Sequence, residues 1–160
     1  MWFFMYACYL LSLATFGLLV TGFFQNVFHF DVFRANPVTF MILTSIVYLF
    51  TETLVIFFFV GIGVSIRDYT QEHGLNPDFH RRSIGIKRVV YPPQLLNMVL
   101  MIVLFIGIGA VDTGHCPAWL YGVYYAACLG HFMYAKIIQH RCFRDSTETV
   151  LAMAGIARTA

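Results

Sequence analysis

Residues 37–66 read PVTFMILTSIVYLFTETLVIFFFVGIGVSI, and Glu52 is the only charged residue in this stretch. A membrane-spanning helix needs roughly 20 mostly apolar residues, so the stretch is long enough to cross a bilayer. No helix breaker follows until Gly74 and Pro77, which predicts that this helix projects beyond the membrane. The stretch therefore places the chain among the integral membrane proteins.

The composition agrees with that class, because 59% of the 160 residues are hydrophobic and only 11% are charged. Three further apolar runs, at 2–24, 93–111 and 117–135, also reach the spanning length. Pro37, Pro93 and Pro117 mark the starts of three of the four runs, and proline is favoured in a first helical turn. We predict an all-α membrane protein with one domain over 1–160: a four-transmembrane-helix bundle with a loop at 67–92 and a tail at 136–160.

The basic residues predict the orientation of this bundle. Nine of the ten Lys and Arg residues fall in the 67–92 loop and the C-terminal tail, which four crossings place on the same side of the membrane. The positive-inside rule then makes both termini cytoplasmic. The first run lacks a basic n-region, so we interpret it as a helix and not as a cleaved signal peptide. A bacterial inner (plasma) membrane is the default location. The nine residues are Arg67, Arg81, Arg82, Lys87, Arg88, Lys136, Arg141, Arg144 and Arg158.

Glu52 and His131 are the most informative residues inside the predicted crossings. A charged side chain at mid-bilayer costs about 2.5 to 3.5 kcal/mol on insertion scales, so Glu52 requires a partner, a proton or a wet cavity. It lies fifteen positions after Pro37, and His131 lies fourteen after Pro117, so the two share a depth of roughly 20 Å from the outer helix starts. We therefore predict Glu52 and His131 as an intramembrane polar pair, in which a hydrogen bond is available if their two helices are neighbours. Such a pair either locks two helices together or serves a function.

Other polar residues recur on the same helix faces as this pair. Three- and four-residue steps place Thr44 and further polar positions of the second run on the face of Glu52, which predicts a polar stripe pointing into the bundle. Two tyrosines of the fourth run can reach His131 in the same way. The supporting positions are Ser45, Tyr48, Thr51, Tyr124 and Tyr134.

Small residues form a second pattern, which predicts close helix packing. Residues at four-residue steps in the fourth run make a small-xxx-small ladder, and Gly-Ile-Gly triplets occur in the second and third runs. No strand–turn–helix context surrounds the triplets, so we do not interpret them as phosphate-binding loops. The predicted packing positions are Gly122, Ala126, Gly130, Gly61, Gly63, Gly107 and Gly109.

Metal-ligating residue types also occur in the two connections on the outer side. They are His29 and Asp31 after the first run, and Asp112, His115 and Cys116 between the third and fourth. These side chains suit zinc, copper or iron, but two short loops make no spacing signature. A weak outer metal site is one interpretation, and solvated loop polarity is the favoured one.

The tail carries a helix-start pattern. Asp145 is followed by Glu148 three residues later, as in a capping box, and the pattern predicts a separate short surface helix through Ile156. Its apolar residues are expected to lie against the membrane surface or a partner.

Function is constrained mainly by missing motifs. No complete catalytic constellation occurs, so we expect an accessory subunit of an enzyme complex that is not catalytic by itself. The leading hypothesis is a small integral subunit of an energy-transducing or redox assembly, as in electron transport or a respiratory chain, with membrane lipids and other integral subunits as partners and no nucleic acid. One alternative is a subunit that binds haem b or quinone, shared with a partner subunit, with His131 as ligand or hydrogen-bond partner and Glu52 as proton acceptor; Met101 is the axial alternative for haem. A small proton or solute transporter using Glu52 is another.

Overall fold

The protein consists of four long α-helices, seen in a computed structural model that describes residues 2–28, 30, 32 and 34–155. They are α1 (Trp2–Phe28), α2 (Pro37–Glu72), α3 (Asp78–Asp112) and α4 (Ala118–Met153). The described residues contain no β-strand, only an isolated bridge between Val32 and Ala35. The predicted all-α class is therefore confirmed.

Each helix packs against its neighbours in the chain, and α4 returns to contact α1. One core cluster joins Leu19, Met41, Leu104 and Tyr125, which come from all four helices. The other joins residues near the start of α1 and α3 to residues near the end of α2 and α4, for example Cys8 and Phe143. Successive helices therefore run in opposite directions. We call the end at which α1 and α3 begin and α2 and α4 end the basic end.

Buried positions follow three- and four-residue steps along the helices, as in the seam of a coiled coil. In α4 the buried residues at this spacing are 121, 125, 128, 132, 135, 139, 142, 146 and 149, and Phe143 is buried beside them. Many of these seam positions hold polar side chains, and polar groups buried among helices are stable only when they find partners. The bundle core is thus a partly polar interior, and it contains the candidate site.

The boundaries of α2 follow from local signals in the sequence. The Asn36 side chain accepts a hydrogen bond from the backbone N–H of Thr39 at 2.8 Å and caps the helix, and Pro37 begins it. At the other end Gly74 adopts φ +59°, a left-handed conformation that glycine reaches without steric cost. The prediction that this helix ends before Gly74 is confirmed.

The structure differs from the sequence prediction at the start of α3. We expected a loop over 67–92 and a helix start at Pro93, but α3 begins at Asp78 and holds both Pro92 and Pro93 in its interior. An interior proline costs about 3 kcal/mol because it removes a backbone hydrogen bond. The buried side chains of α3 continue at helical spacing on both sides of the prolines, from Ser83 to Ile108, so packing along the whole helix offsets that cost.

A second difference lies in the C-terminal tail. The predicted separate helix after Asp145 is the last part of α4, which runs to Met153 without interruption. No proline or glycine occurs between Gly130 and Asp145, and the buried positions of α4 keep their spacing through Thr149. The prediction that a separate helix starts at Asp145 is therefore wrong. Ile156 lies outside the described residues.

The outer surface of the bundle is apolar to a degree that a soluble protein does not show. Phe3 is 77% exposed and Leu10 is 70% exposed, and large apolar side chains project outward along all four helices. Within the described residues α1, α2 and α3 are long and apolar enough to span a membrane. Helix α4 is less apolar because it contains several tyrosines and His131. The chain has the features of a membrane protein.

Candidate functional site

A charged pair lies in the core of the bundle. The Lys136 Nζ atom of α4 is 2.7 Å from the Glu52 Oε1 atom of α2, and the two side chains are 14% and 0% exposed. Helix α2 turns Glu52 inward together with its other buried polar residues, and Lys136 reaches it from α4. Because a buried charge without a counter-charge is strongly destabilising, each member of this pair depends on the other.

The Lys136 ammonium has two further partners besides Glu52. It donates a hydrogen bond to Gln139 Oε1 at 2.8 Å and lies 4.8 Å from the centre of the Phe132 ring. Gln139 Oε1 also accepts from Gln94 Nε2 of α3 at 2.9 Å, and both amide side chains are buried. The ammonium group is therefore held by the Glu52 carboxylate, the Gln139 amide oxygen and the Phe132 ring, which together replace its lost hydration.

Asn97 extends the network in the other direction. Its side chain lies beside the Glu52 carboxylate, and its Oδ1 atom is 2.6 Å from His131 Nδ1. An amide oxygen only accepts, so the His131 ring carries its proton on Nδ1 in this contact. The polar side chains of Lys136, Glu52, Asn97 and His131 lie in a line across α4, α2 and α3, which we call the core network; among the described residues no hydrogen bond joins the Asn97 amide nitrogen to the Glu52 carboxylate. The ring of His131 is only partly buried, so the line ends near the outer surface of α4.

This arrangement corrects the predicted Glu52–His131 pair. Among the described residues the carboxylate pairs with Lys136 and the imidazole bonds to Asn97, so no hydrogen bond joins Glu52 to His131. An ammonium ion neutralises a buried carboxylate, whereas a neutral imidazole supplies one hydrogen bond. Lys136 was counted at the sequence level with the basic residues of the tail, and the structure places it in the core instead.

The predicted supporting positions divide into buried and exposed residues. All five polar positions of the α2 stripe, from Thr44 to Glu52, are buried. Tyr48 donates its hydroxyl proton to the backbone carbonyl of Asn97 at 3.2 Å, and Thr51 Oγ1 lies 2.8 Å from Thr15 Oγ1 of α1. The remaining positions contribute less to the network: Ser45 and Tyr124 bond to the backbone carbonyls of Met41 and Leu100, and Tyr134 is 57% exposed beside the His131 ring.

Only two of the predicted small-residue positions lie in tight contacts. A Cβ atom on Gly107 would lie 3.0 Å from the Tyr121 ring, and one on Gly63 would collide with the Lys87 side chain. The α4 ladder makes no tight contact with another helix among the described residues. Gly122 has its nearest neighbour at 4.0 Å, Gly61, Gly109 and Gly130 have none within 4 Å, and Ala126 is exposed.

The weak outer metal site is not assembled by the described residues. They contain no group of three or more His, Cys, Asp or Glu side chains that could hold a metal ion. His115 Nδ1 lies 2.9 Å from the Thr113 hydroxyl, and the Cys116 thiol faces the backbone carbonyl of Pro117. Asp112 is the last residue of α3. The other two members of the predicted set, His29 and Asp31, lie outside the described residues.

The four cysteines are free thiols, and three of them are buried. Burial, followed by the nearby Asp145 charge, raises the pKa of the Cys142 thiol to about 11. A raised pKa lowers the thiolate fraction, and the thiolate is the reactive form. Cys116 is the most accessible thiol of the four.

Sequence reasoning missed Asn97, Gln94 and Gln139, and it placed Lys136 outside the bundle. The sequence contains a signal for the two polar core residues of α3. Gln94 and Asn97 are three residues apart in an otherwise apolar run, so they share a helix face. Asn97 also lies fifteen residues before Asp112, the same distance that separates Glu52 from Pro37. The depth comparison that singled out Glu52 thus applied equally to Asn97.

Comparisons of the chain with models of protein families, with curated proteins and with solved structures find no match. The core network is therefore the feature of this chain that points to a function.

Proposed function

We propose that the chain is an integral membrane subunit of a larger energy-transducing or redox assembly, in which the core network acts as an internal protonatable group. The observation that carries the proposal is the line of polar side chains in the bundle core, which includes the buried Glu52–Lys136 pair and the Asn97–His131 hydrogen bond. Charged residues in the interior of membrane proteins are costly and mark ion or proton pathways more often than other sites. His131 is the end of the line that a group on a neighbouring subunit can approach.

The competing role is a purely structural lock between α2, α3 and α4. Polar side chains commonly join helices in membrane bundles, and a lock requires only that each group has a partner. The two roles differ in their need for charge, since a lock tolerates neutral residues of similar shape and a protonatable group does not.

The experiment compares a neutral double variant with the wild type in the native assembly. A tagged chain is purified in mild detergent with its companion subunits, and the proton-coupled turnover of the assembly is measured. Glu52→Gln combined with Lys136→Met keeps the core neutral, so we expect the assembly to remain intact and turnover to fall at least about tenfold. Gln94→Leu is the control, because it removes a buried amide of the same region that lies off the line to His131.

Two results contradict the proposal. If the double variant retains wild-type turnover, the core network is a structural lock. If the chain is recovered as a stable monomer without companion subunits, it is not a subunit of a larger assembly.

A second candidate function is supported by the contact between His131 Nδ1 and Asn97 Oδ1 at 2.6 Å. A ring that donates from Nδ1 to this amide oxygen leaves Nε2 free to serve as an axial ligand of haem b. Met101 is 2% exposed and packs in the core, so the second ligand has to come from a partner subunit.

Optical spectroscopy of the same purified assembly tests this candidate. A reducible haem b band that disappears in His131→Ala and persists in His140→Ala supports it. His140 is a suitable control because it bonds to Tyr9, away from the core network. Absence of any reducible haem band in the intact wild-type assembly eliminates the candidate.

A further inference from the structure

A groove of about 480 Å³ runs between α3 and α4 near the basic end, apart from the core network. Arg82 lies on the α3 wall, and Arg141 and Asp145 lie on the α4 wall. Ile86, Val89 and Ile138 also line it and make its deeper part apolar. The groove is open along its side, so a ligand can enter from the surrounding membrane.

The groove changes from charged to apolar along the helix axis. Because α3 and α4 are antiparallel, Arg82 and Asp145 are nearest the basic end, whereas Val89 and Ile138 are seven residues deeper on their helices. Seven residues correspond to roughly 10 Å along an α-helix. A ligand that fits has a polar head at one end and a hydrocarbon portion at the other.

The charge at the mouth of the groove favours an anion. Among the residues that the structure describes, Arg82 and Arg141 take part in no ion pair, whereas Arg81 pairs with Asp78. The only acid in the lining, Asp145, is already 3.9 Å from Arg144. Two unpaired guanidinium groups therefore face one carboxylate that has its own partner. Guanidinium groups bind phosphate oxygens through paired N–H donors.

We propose that this groove binds one anionic phospholipid, with its phosphate between Arg82 and Arg141 and an acyl chain along Ile86, Val89 and Ile138. Basic pockets between helices are a recognised site for anionic lipid head groups. A second groove of about 540 Å³, between α1, α2 and α4, is lined almost entirely by apolar residues and no charged ones, so it offers an acyl chain no head-group contact. Selectivity for anionic lipid is expected at the first groove alone.

Native mass spectrometry of the full chain in neutral detergent tests the proposal, with phosphatidylglycerol and phosphatidylcholine as probes. The wild type is expected to retain phosphatidylglycerol preferentially. Each arginine near a membrane surface contributes about a fivefold change in anionic lipid affinity, so Arg82→Gln with Arg141→Gln is expected to weaken phosphatidylglycerol binding about 25-fold. Both arginines are exposed, and a thermal melt confirms that the double variant is folded.

The control is Arg81→Gln with Arg88→Gln, which removes the same charge from exposed positions outside the groove. It is expected to bind phosphatidylglycerol within about twofold of the wild type. The proposal is overturned if the groove variant binds like the wild type, or if the control loses as much affinity as the groove variant. Equal competition by inorganic phosphate at millimolar concentration also overturns it, because the groove is then a site for free anions.

Discussion

The Glu52–Lys136 pair supports a quantitative prediction about stability. Lys136→Met leaves a fully buried carboxylate without its cation, and Glu52→Gln leaves the ammonium with only Gln139 and the Phe132 ring. Breaking a buried pair from one side costs about 3 to 5 kcal/mol. We expect about 3 kcal/mol for each single variant, since a lone buried carboxylate takes up a proton and limits its own cost.

The double variant is expected to cost far less than the sum of the two single variants. Removing both charges leaves no uncompensated ion in the core, so the double variant is expected to cost about 1 kcal/mol. The coupling free energy, which is the shortfall from additivity, is then about 5 kcal/mol. Reversible unfolding in mixed detergent micelles, followed by circular dichroism, measures all three free energies of unfolding.

An exposed pair on the same helix provides the control cycle. Arg144 and Glu148 are 3.8 Å apart with side chains 62% and 41% exposed, and exposed helix pairs of this kind couple by about 0.3 to 0.5 kcal/mol. If the Glu52–Lys136 coupling is no larger than that of the control pair, the pair does not lie in a desolvated core and the reasoning fails.

Three further results are expected. Gly107→Ala should destabilise the bundle by about 1 to 2 kcal/mol, because the new Cβ presses on the Tyr121 ring. Gly109→Ala has open space around its Cβ and should stabilise the bundle by up to about 1 kcal/mol. Equal melting temperatures for the two variants would contradict the packing. Asn36→Ala should cost about 1 kcal/mol in the same unfolding assay by removing the cap of α2, and no loss would mean that the cap does not form. The predicted orientation places Cys116 on the outer side of the membrane, so in intact cells it should react with a membrane-impermeant maleimide. Labelling only after the cells are opened would contradict that orientation.

The helices were predictable where local signals agree with hydrophobicity. The Asn36–Pro37 start and the Gly74 stop of α2 are local features, since capping and left-handed backbone conformations depend on a few adjacent residues. The start of α3 was not predictable in this way. Pro92 and Pro93 signal a boundary locally, and the packing of residues on both sides of them decides otherwise.

The candidate site was predictable only in part, because depth along a helix does not specify which side chains face each other. The number of residues from Pro37 to Glu52 and from Pro117 to His131 predicted the same depth for both side chains. In the structure the Asn97 side chain of α3 lies next to both of them. A third helix can occupy the space between two others, and a sequence gives no rotation of one helix about its axis relative to another.

The sequence by itself determined that this chain is helical and apolar, since backbone hydrogen bonds inside a membrane have to be satisfied within each helix. It also placed a carboxylate in the interior that required a partner. The tertiary structure decided which partner. Lys136 lies just past the last apolar run and looks like a membrane-flanking charge in the sequence, but the long lysine side chain of a packed α4 reaches back to Glu52. Which charges neutralise each other depends on distances of a few ångströms between helices, and only the packed bundle sets those distances.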